Sequence, residues 1–320
     1  MGAPVKDGSV QIAAGRFPDY DAFAEAIAGW CIEFRQVDAG DSPTELMQIA
    51  APGVLLSRAR FERAYDQQGE SPVGMRTVAL LEQGVEDVTW CGRPFGETGL
   101  AVFPDADGFE ASSRPGFGVW TLSIADDLLA RRGEEVGRPD LVEGLMRTGV
   151  RSADPLKLAR LRTALTTVAR RLSCREAVDA LIRGLPERVL EILASADAAP
   201  AAPSQRLRDR AFERARAYAL DRAVDGATVT GMREASGASW RTLDYAFRER
   251  LGVTPQGFLK AIRLDALRKA LLAADSSARI VDVATEHGFW HMGQLAADYR
   301  AQFGELPSST LTRRRSVSAV

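Results

Sequence analysis

The spacing of apolar residues divides the chain into a strand-rich first part and a helical second part. Between residues 45 and 124, short apolar runs are separated by turns such as Pro52-Gly53 and Pro115-Gly116. Closely spaced runs with glycine and proline turns are typical of an antiparallel sandwich or small barrel. The predicted strands are Glu45–Ala51, Val54–Phe61, Met75–Leu81, Val85–Cys91, Gly99–Phe103 and Gly118–Ile124. Residues 21–34 fit a helix or a strand equally well.

The apolar period becomes helical after about Ala125. An apolar seam recurs at intervals of three and four residues, formed by Leu158, Leu161, Leu165, Val168 and Leu172. It predicts a helix that starts near Pro155, followed by a second helix over Arg175–Leu193 with Pro186 as a kink or break. The seam has two interpretations: packing against its own domain, or a dimer interface. Residues 195–204 have the small, proline-rich composition of a linker.

Composition and charge narrow the class of protein. The chain is 46% hydrophobic and 26% charged, which excludes a disordered or fibrous protein. The formal charge of −2 conceals an asymmetry, because residues 205–320 carry 19 Lys/Arg against 13 Asp/Glu and residues 1–204 carry 22 against 30. A carboxy-terminal net charge of +6 beside an amino-terminal −8 indicates a polyanionic partner for the second part.

The rare residue types argue against metal and nucleophile chemistry. The three cysteines, Cys31, Cys91 and Cys174, are far apart and form no CxxC pair, so we expect neither a disulfide framework nor a zinc finger. Since His287 and His291 are the only histidines, a metalloenzyme or triad hydrolase in the first two-thirds is disfavoured. The first residues lack the apolar stretch of a signal peptide and no window approaches the length of a membrane span, so we expect a cytoplasmic protein without a cofactor or metal.

A repeat of about 52 residues occupies the last third of the chain. The first copy has Leu243, Phe247, Leu251, Gly252 and Pro255, and the second has Leu295, Tyr299, Phe303, Gly304 and Pro307. Each copy predicts a short helix, a glycine turn and an amphipathic second helix, which describes a helix-turn-helix. The connector Gln256–Ala273 would be roughly 27 Å long, near the ~34 Å between successive major-groove segments. Two helices that read bases, held apart by one spacer, would therefore fit successive major-groove segments of one DNA duplex.

The same segments resemble the AraC/XylS family of transcription regulators. The second copy carries Ile280-Val-Asp-Val-Ala-Thr-Glu-His-Gly-Phe289, and the first carries Ser239-Trp-Arg-Thr-Leu243 with Gly252-Val-Thr-Pro255. Trp290-His-Met-Gly-Gln294 is similar to the branch that includes the ethanolamine-utilisation regulator. Ala296 and Ala297 replace the family's common Ser-Arg, which removes a phosphate contact.

The resemblance implies an α+β multidomain protein. Its amino-terminal part would be a cupin-like antiparallel β barrel or sandwich with a helical hairpin, and its carboxy-terminal part an all-α double helix-turn-helix. We expect residues 1–135 to form the strand-rich effector-binding or sensor domain and 136–194 a helical pair that is a candidate for dimerisation. Residues 195–204 would be the linker, and 205–315 the AraC-type DNA-binding domain.

Exposed positions of the two copies are the candidates for DNA contact. In copy one they are Ser239, Trp240, Arg241, Asp244, Tyr245 and Arg248. In copy two they are Arg279, Trp290, His291, Gln294, Asp298 and Arg300. Paired donors on a guanidinium suit guanine and those on an amide suit adenine, so we expect Arg241 and Gln294 to read bases. Arg248, Arg279 and Arg300 are placed for phosphates, and Arg313-Arg314-Arg315 would add non-specific attraction.

Effector-binding candidates in the strand-rich region are fewer. Arg58 and Arg60 share a strand face with Val54 and Leu56, which fits either an internal anion-binding arginine or a surface arginine. Trp90 and Trp120 would line a pocket or fill the core.

We expect a sequence-specific, effector-responsive transcription regulator that is not an enzyme and binds double-stranded promoter DNA through both motifs. It would work as a homodimer and contact RNA polymerase if it is an activator. Two alternatives remain. One is a DNA-tethered enzyme with a cysteine-based barrel, since Cys91 follows Trp90 at a strand end. The other is an effector-independent DNA-binding scaffold.

Overall fold

The chain divides into two compact units. The computed structural model describes residues 10–85, 88–104, 108–140, 142, 145, 148–198, 203–223, 226–275 and 277–317. Unit 1 comprises Met1–Phe34, Pro43–Glu62 and Gln67–Ala201, and unit 2 comprises Arg35–Ser42, Arg63–Asp66 and Ala202–Val320. Four residues of the predicted linker, 199–202, lie outside the described residues.

Antiparallel strands dominate the first part of the chain, as the turn spacing predicts. They are β1 Gln11–Phe17, β2 Cys31–Gln36, β3 Thr44–Ala51, β4 Val54–Phe61, β5 Tyr65–Glu70, β6 Met75–Leu81, β7 Val88–Trp90, β8 Arg93–Phe95, β9 Gly99–Val102, β10 Phe109–Ser112, β11 Phe117–Ala125, β12 Gly149–Ser152 and β13 Asp197–Ala198. An eight-stranded sheet has the order β1-β3-β4-β11-β6-β9-β12-β13, and a five-stranded sheet the order β2-β5-β10-β7-β8. The ambiguous segment 21–34 holds both element types: helix α1, Tyr20–Ala26, precedes β2.

Aromatic side chains from both sheets pack against each other in unit 1. Phe34 of β2 lies 5.4 Å from Phe61 of β4 between ring centroids. Farther along, Trp90 of β7 lies 5.2 Å from Phe103, which in turn lies 4.8 Å from Phe109 of β10. Aromatic rings bury large apolar areas, so these contacts stabilise the packing of one sheet on the other.

Helices cover the opposite face of the eight-stranded sheet. They are α2 Asp126–Glu135, α3 Pro155–Arg170, α4 Arg175–Arg183 and α5 Leu185–Leu193. The seam residues Leu158, Leu161, Leu165 and Val168 of α3 are 0–1% exposed and share a core with Leu56, Leu80 and Leu122 of the sheet. The seam therefore packs within its own unit, and it is not available as a dimer interface. The predicted break falls at Gly184, with Pro186 in the first turn of α5, where proline is tolerated.

Unit 2 is helical apart from its two short segments from the first part of the chain. Its helices are α6 Pro203–Asp221, α7 Val229–Ser236, α8 Trp240–Leu251, α9 Pro255–Ala273, α10 Ile280–Glu286, α11 Met292–Phe303 and α12 Pro307–Val317. Thr254 caps α9 by accepting from the Gly257 N–H at 3.0 Å, and Pro255 opens the helix. Within the described ranges, no helix is long and apolar enough to cross a membrane.

Candidate nucleic-acid interface

Local capping sets the geometry of the first copy. Thr228 accepts a hydrogen bond from the Gly231 N–H at 3.0 Å and starts α7. Gly237 ends α7 in the left-handed region at φ +65°, a conformation that glycine adopts without steric cost. Ser239 then accepts from the Thr242 N–H at 3.2 Å, which starts α8 two residues after the turn.

One side of α8 is buried in the core of unit 2. Leu243, Phe247 and Leu251 are at most 1% exposed. The Phe247 ring lies 4.8 Å from Phe212 of α6 and 5.2 Å from Phe258 of α9, measured between centroids. This packing fixes which residues of α8 face solvent.

The opposite side of α8 carries the predicted contact residues. Trp240 and Tyr245 are 49% and 52% exposed, unusually high for such large side chains. Arg241 is exposed and makes no polar contact with any described residue. Arg248 donates through Nε to Asp244 at 2.8 Å, so its charge is shared along the helix. The remaining candidate, Ser239, is exposed as well as capping.

Two arginines that the sequence pattern did not indicate flank this face. The Arg233 guanidinium of α7 lies 5.9 Å from the centroid of the Trp240 ring system. The Arg208 guanidinium of α6 lies 5.0 Å from the Tyr245 ring. Cation–π contacts of this kind add positive charge beside exposed aromatic rings. Only a tertiary contact brings these residues together, and no local periodicity signals it.

The second copy has the same buried side as the first. Leu295, Tyr299 and Phe303 of α11 are 2%, 0% and 8% exposed. The Tyr299 hydroxyl lies 2.9 Å from Thr310 Oγ1 of α12. Burial raises the pKa of Tyr299 to about 12, because the charged phenolate is disfavoured away from water. Arg268 of α9 is also buried, and it donates to Glu305 at 2.6 Å.

The exposed side of copy two includes residues just before its helix. Helix α11 starts at Met292, and His291 occupies the N-cap position without a side-chain capping bond. Trp290 is 72% exposed. Arg279, at the N-cap of α10, and Arg300 are exposed, and neither side chain has a polar partner among the described residues.

Gln294 and Asp298 form a local pair instead of two independent contact residues. Gln294 Nε2 donates to Asp298 Oδ1 at 2.9 Å, and Lys260 Nζ of α9 lies 2.7 Å from the same oxygen. Asp298 is half-buried, and its charge is neutralised by Lys260. Gln294 must release one hydrogen bond before both amide groups can face a base.

The basic run at the end of the chain is described only in part. Arg313 of α12 lies 3.5 Å from Glu305, which precedes the helix. The side chains of Arg314 and Arg315 lie outside the described residues.

The two exposed faces differ in bulk when aligned at the 52-residue offset. Trp240, Arg241 and Tyr245 of copy one correspond to Met292, Gly293 and Ala297 of copy two. The equivalent pair Arg248 and Arg300 is common to both. Copy one therefore presents more aromatic and hydrogen-bonding side chains to a ligand than copy two.

The four effector candidates fall at two separate places in unit 1. Arg58, Arg60 and Trp120 lie on the helix-covered face of the eight-stranded sheet, with the Arg58 guanidinium 5.3 Å from the Trp120 ring. Trp90 belongs to the aromatic core between the sheets and is 3% exposed. The structure does not bring Trp90 together with the other three.

A cleft of 270 Å³ opens beside the two arginines. It is lined by Ala14, Gly15, Arg16, Glu45, Leu46, Met47, Arg58, Arg60, Ala169 and Leu172. Arg58 and Arg60 both donate through Nε to Glu82, at 2.6 Å for Arg60. Their terminal amino groups have no acceptor within the described part of the chain.

The described residues include no group of three or more His, Cys, Asp or Glu side chains placed to hold a metal ion. His287 instead lies 2.9 Å through Nδ1 from the Val283 carbonyl oxygen, a helical contact.

Comparisons with known proteins match the helical end of the chain. A family model described as a helix-turn-helix domain matches residues 232–313. The XylDLEGF operon transcriptional activator 3 of Pseudomonas putida is 32% identical over 105 residues, covering 32% of each chain. The carboxy-terminal domain is therefore similar to transcription regulators of the kind that the repeat resembles. The resemblance stated from the repeat is thereby confirmed for this domain.

Further matches cover the same domain or a larger part of the chain. The probable thc operon regulatory protein of Rhodococcus erythropolis is 40% identical over 85 residues, covering 26% of each chain. The crystal structure of the AraC-like transcriptional activator CuxR is 17% identical, with a TM-score of 0.44, covering 86% of this chain and all of that one. The chain spans about a third of the length of the first curated relatives that it matches.

Proposed function

We propose that the chain is a sequence-specific DNA-binding transcription regulator that binds promoter DNA through α8 and α11. The observation that carries the proposal is the pair of exposed helix faces, each opposite a buried apolar side and each bearing an arginine without a polar partner among the described residues. An exposed helix held by a second short helix suits the major groove, which is about 12 Å wide. The relatives named as transcriptional activators support the same function.

The exposed residues divide into base-reading and phosphate-binding groups. Arg241 lies in the first turn of α8, where recognition helices approach base edges, and its free guanidinium suits guanine O6 and N7. Arg300 lies in the last turn of α11, away from that end, and suits a phosphate. Arg279 and Arg248 join the phosphate group, and Gln294 would read adenine in copy two.

The test measures duplex affinity as a function of salt. A duplex is selected from a random library with the full chain, and a scrambled duplex serves as reference. Arg241→Ala is expected to lose about 1–3 kcal/mol of discrimination at one base pair, while Arg300→Ala weakens all duplexes and lowers the salt slope by about 0.9. Arg131→Ala, an exposed arginine of unit 1, is the matched control. Equal, weak binding of selected and scrambled duplexes would refute sequence-specific function.

The regulator is also proposed to respond to a small effector, bound in the cleft at Arg58 and Arg60. Their free terminal amino groups suit a carboxylate, and Met47 and Leu172 supply apolar walls. Glu45 lies opposite Arg60 in the β3–β4 register and opposes an anion there. At 270 Å³ the cleft is just below the ~300–1,000 Å³ of drug-sized pockets, so the ligand class is a small amphipathic carboxylate.

Calorimetry on the full chain tests the effector site with octanoate, and with octanamide as its neutral analogue. Saturable binding of octanoate alone is expected, weakened at least tenfold by Arg60→Gln and strengthened by Glu45→Gln. Arg131→Gln again serves as the control. Equal binding of both probes, or no effect of Arg60→Gln, would reject this site while leaving DNA binding unaffected.

The proposal keeps the domain roles expected from the sequence. Residues 1–135 would sense the effector, and residues 205–315 would bind DNA. Residues 136–194 would contribute to a homodimer through faces other than the buried α3 seam, and residues 195–204 would link these parts to the DNA-binding domain. We place the regulator in the cytoplasm, with RNA polymerase as a further partner if it activates. No observation favours the enzyme alternative, since Cys91 lies in unit 1 and both histidines in unit 2.

A further inference from the structure

Two short segments of the chain are built into the helical unit. We define them together as the polar clamp: residues 35–42 and 63–66, which belong to unit 2. Gln36 in the clamp is fully buried. Its Nε2, which carries two hydrogens, lies within hydrogen-bond distance of three carbonyl oxygens: Asp38 at 2.9 Å, Gly40 at 2.7 Å and Gln302 at 2.8 Å.

Gln302 returns the contact from the last turn of α11. Its Nε2 donates to the carbonyl oxygens of Gln36 at 2.9 Å and Asp38 at 3.1 Å, and the Gly40 N–H donates to the Gln302 carbonyl at 3.1 Å. Carbonyl groups in the last turn of a helix lack intrahelical partners, so the clamp satisfies one that α11 leaves open. The polar clamp thus holds the carboxy-terminal end of the reading helix of copy two.

The fit at this end is close. A Cβ built on Gly304, which follows α11, would lie 1.5 Å from Asp41 Oδ1 of the clamp. Gly304 also has φ +74°, a backbone conformation that favours glycine, and any larger residue there would have to displace the Asp41 side chain.

The other end of the clamp holds copy one. Asp66 has no exposed side-chain surface, and it accepts from Arg216 of α6 through Nε at 2.5 Å and Nη2 at 3.1 Å. Arg35 Nη1 lies 3.4 Å from the same carboxylate. Val37 and Ala64 of the clamp share the buried core that contains α6 and α8.

The polar clamp therefore forms a second link between the two copies, in addition to the connector α9. Apolar contacts tolerate small sliding motions, whereas a buried set of hydrogen bonds is satisfied in one register. Two reading helices that engage one DNA molecule together need a fixed separation and angle.

We infer that four residues, Gln36, Gln302, Asp66 and Arg216, are positioning residues that set the separation of α8 and α11. They would thereby set the preferred spacing of the two short DNA segments, or boxes, that α8 and α11 contact. The spacing part of this inference rests on the proposed DNA-binding function.

Spin-label distances test the positioning without DNA. Labels are placed at Glu249→Cys in α8 and Ala297→Cys in α11 of the full chain, with the three native cysteines replaced by serine. The distance distribution is expected to be narrow, and at least twice as broad in Gln36→Met, which retains side-chain length but not the amide. Asp66→Asn is a second variant with retained shape. An unchanged width in both variants would overturn the inference.

Duplexes with altered box spacing test the consequence for specificity. Starting from the selected duplex, the separation of the two boxes is changed by one base pair in either direction. The unmodified chain is expected to lose at least tenfold in affinity at either change, and Gln302→Met to lose less than threefold relative to its own optimum while keeping its affinity for a single box. Gln256→Met, an exposed glutamine of α9, is the matched control.

The outcomes separate the two proposals. If the spin-label widths respond but no duplex is preferred, the DNA-binding function fails and the positioning role stands. If Gln302→Met weakens a single-box duplex and every spacing equally, the residue has only a general structural role, and the inference is wrong.

Discussion

The buried ion pair between Asp66 and Arg216 makes a quantitative prediction about the stability of unit 2. The two side chains are 0% and 3% exposed, and two hydrogen bonds of 2.5 and 3.1 Å join them. Removing one partner of such a pair leaves the other charge poorly compensated in a region that excludes water. The expected loss for Asp66→Ala is about 3–5 kcal/mol in the free energy of unfolding. The exposed pair Asp244–Arg248 is the internal reference, with an expected loss of about 0.3–0.5 kcal/mol.

Urea unfolding followed by helical circular dichroism measures this prediction, because unit 2 is mainly helical. Asp66→Ala, Arg216→Ala and the double variant form a cycle, in which the double variant should cost clearly less than the sum of the single changes. Additive losses, or a loss below about 1 kcal/mol for Asp66→Ala, would show that the two side chains are not paired in solution, since only exposed pairs are worth so little. The reasoning from burial to stability would then be refuted.

Three further changes have defined outcomes. Ser239→Ala removes the α8 cap and should cost about 1 kcal/mol of stability, with Ser308→Ala as an exposed control; no loss would contradict the capping role. Gly252→Ala, at φ +73°, should cost about 1–2 kcal/mol by thermal melting, unlike Gly293→Ala. The raised pKa of Tyr299 favours the folded state below pH ~10, and this contribution, about 3 kcal/mol at most, is lost as pH rises toward 12; Tyr299→Phe should remove that pH dependence.

The sequence predicted best where one local period decides the structure. Five of the six expected strands are present within one residue at each end, whereas within Val85–Cys91 the structure has only the short strand Val88–Trp90, and residues 86–87 lie outside the described residues. The alternation that places Arg58 and Arg60 on one face is observed. Both copies of the repeat bury the expected residues, because an amphipathic helix has one apolar side regardless of its partner. The chain between residues 21 and 34 was ambiguous, since its pattern changes from helix to strand within a few residues.

Contacts between distant residues could not be predicted in the same way. Gln36 and Gln302 are 266 positions apart, and nothing in their local sequence marks either as buried. Asp66 and Arg216 each lie in segments where a charged residue normally faces solvent. Trp90 and Trp120 have similar local patterns but belong to opposite faces of the fold, a distinction set only by strand pairing. These features follow from topology, which a single sequence does not specify.

The open space around Gly293 would accommodate larger side chains on α11, the reading helix of copy two. A Cβ at this exposed position of α11 would meet no atom within 4 Å, and Ala297 one turn later is also exposed. Longer side chains at these two sites would extend outward without disturbing the packing of Leu295 and Tyr299. Target preference is therefore easiest to redesign in copy two, where an arginine or glutamine library at positions 293 and 297 could create base contacts that the natural sequence leaves unused.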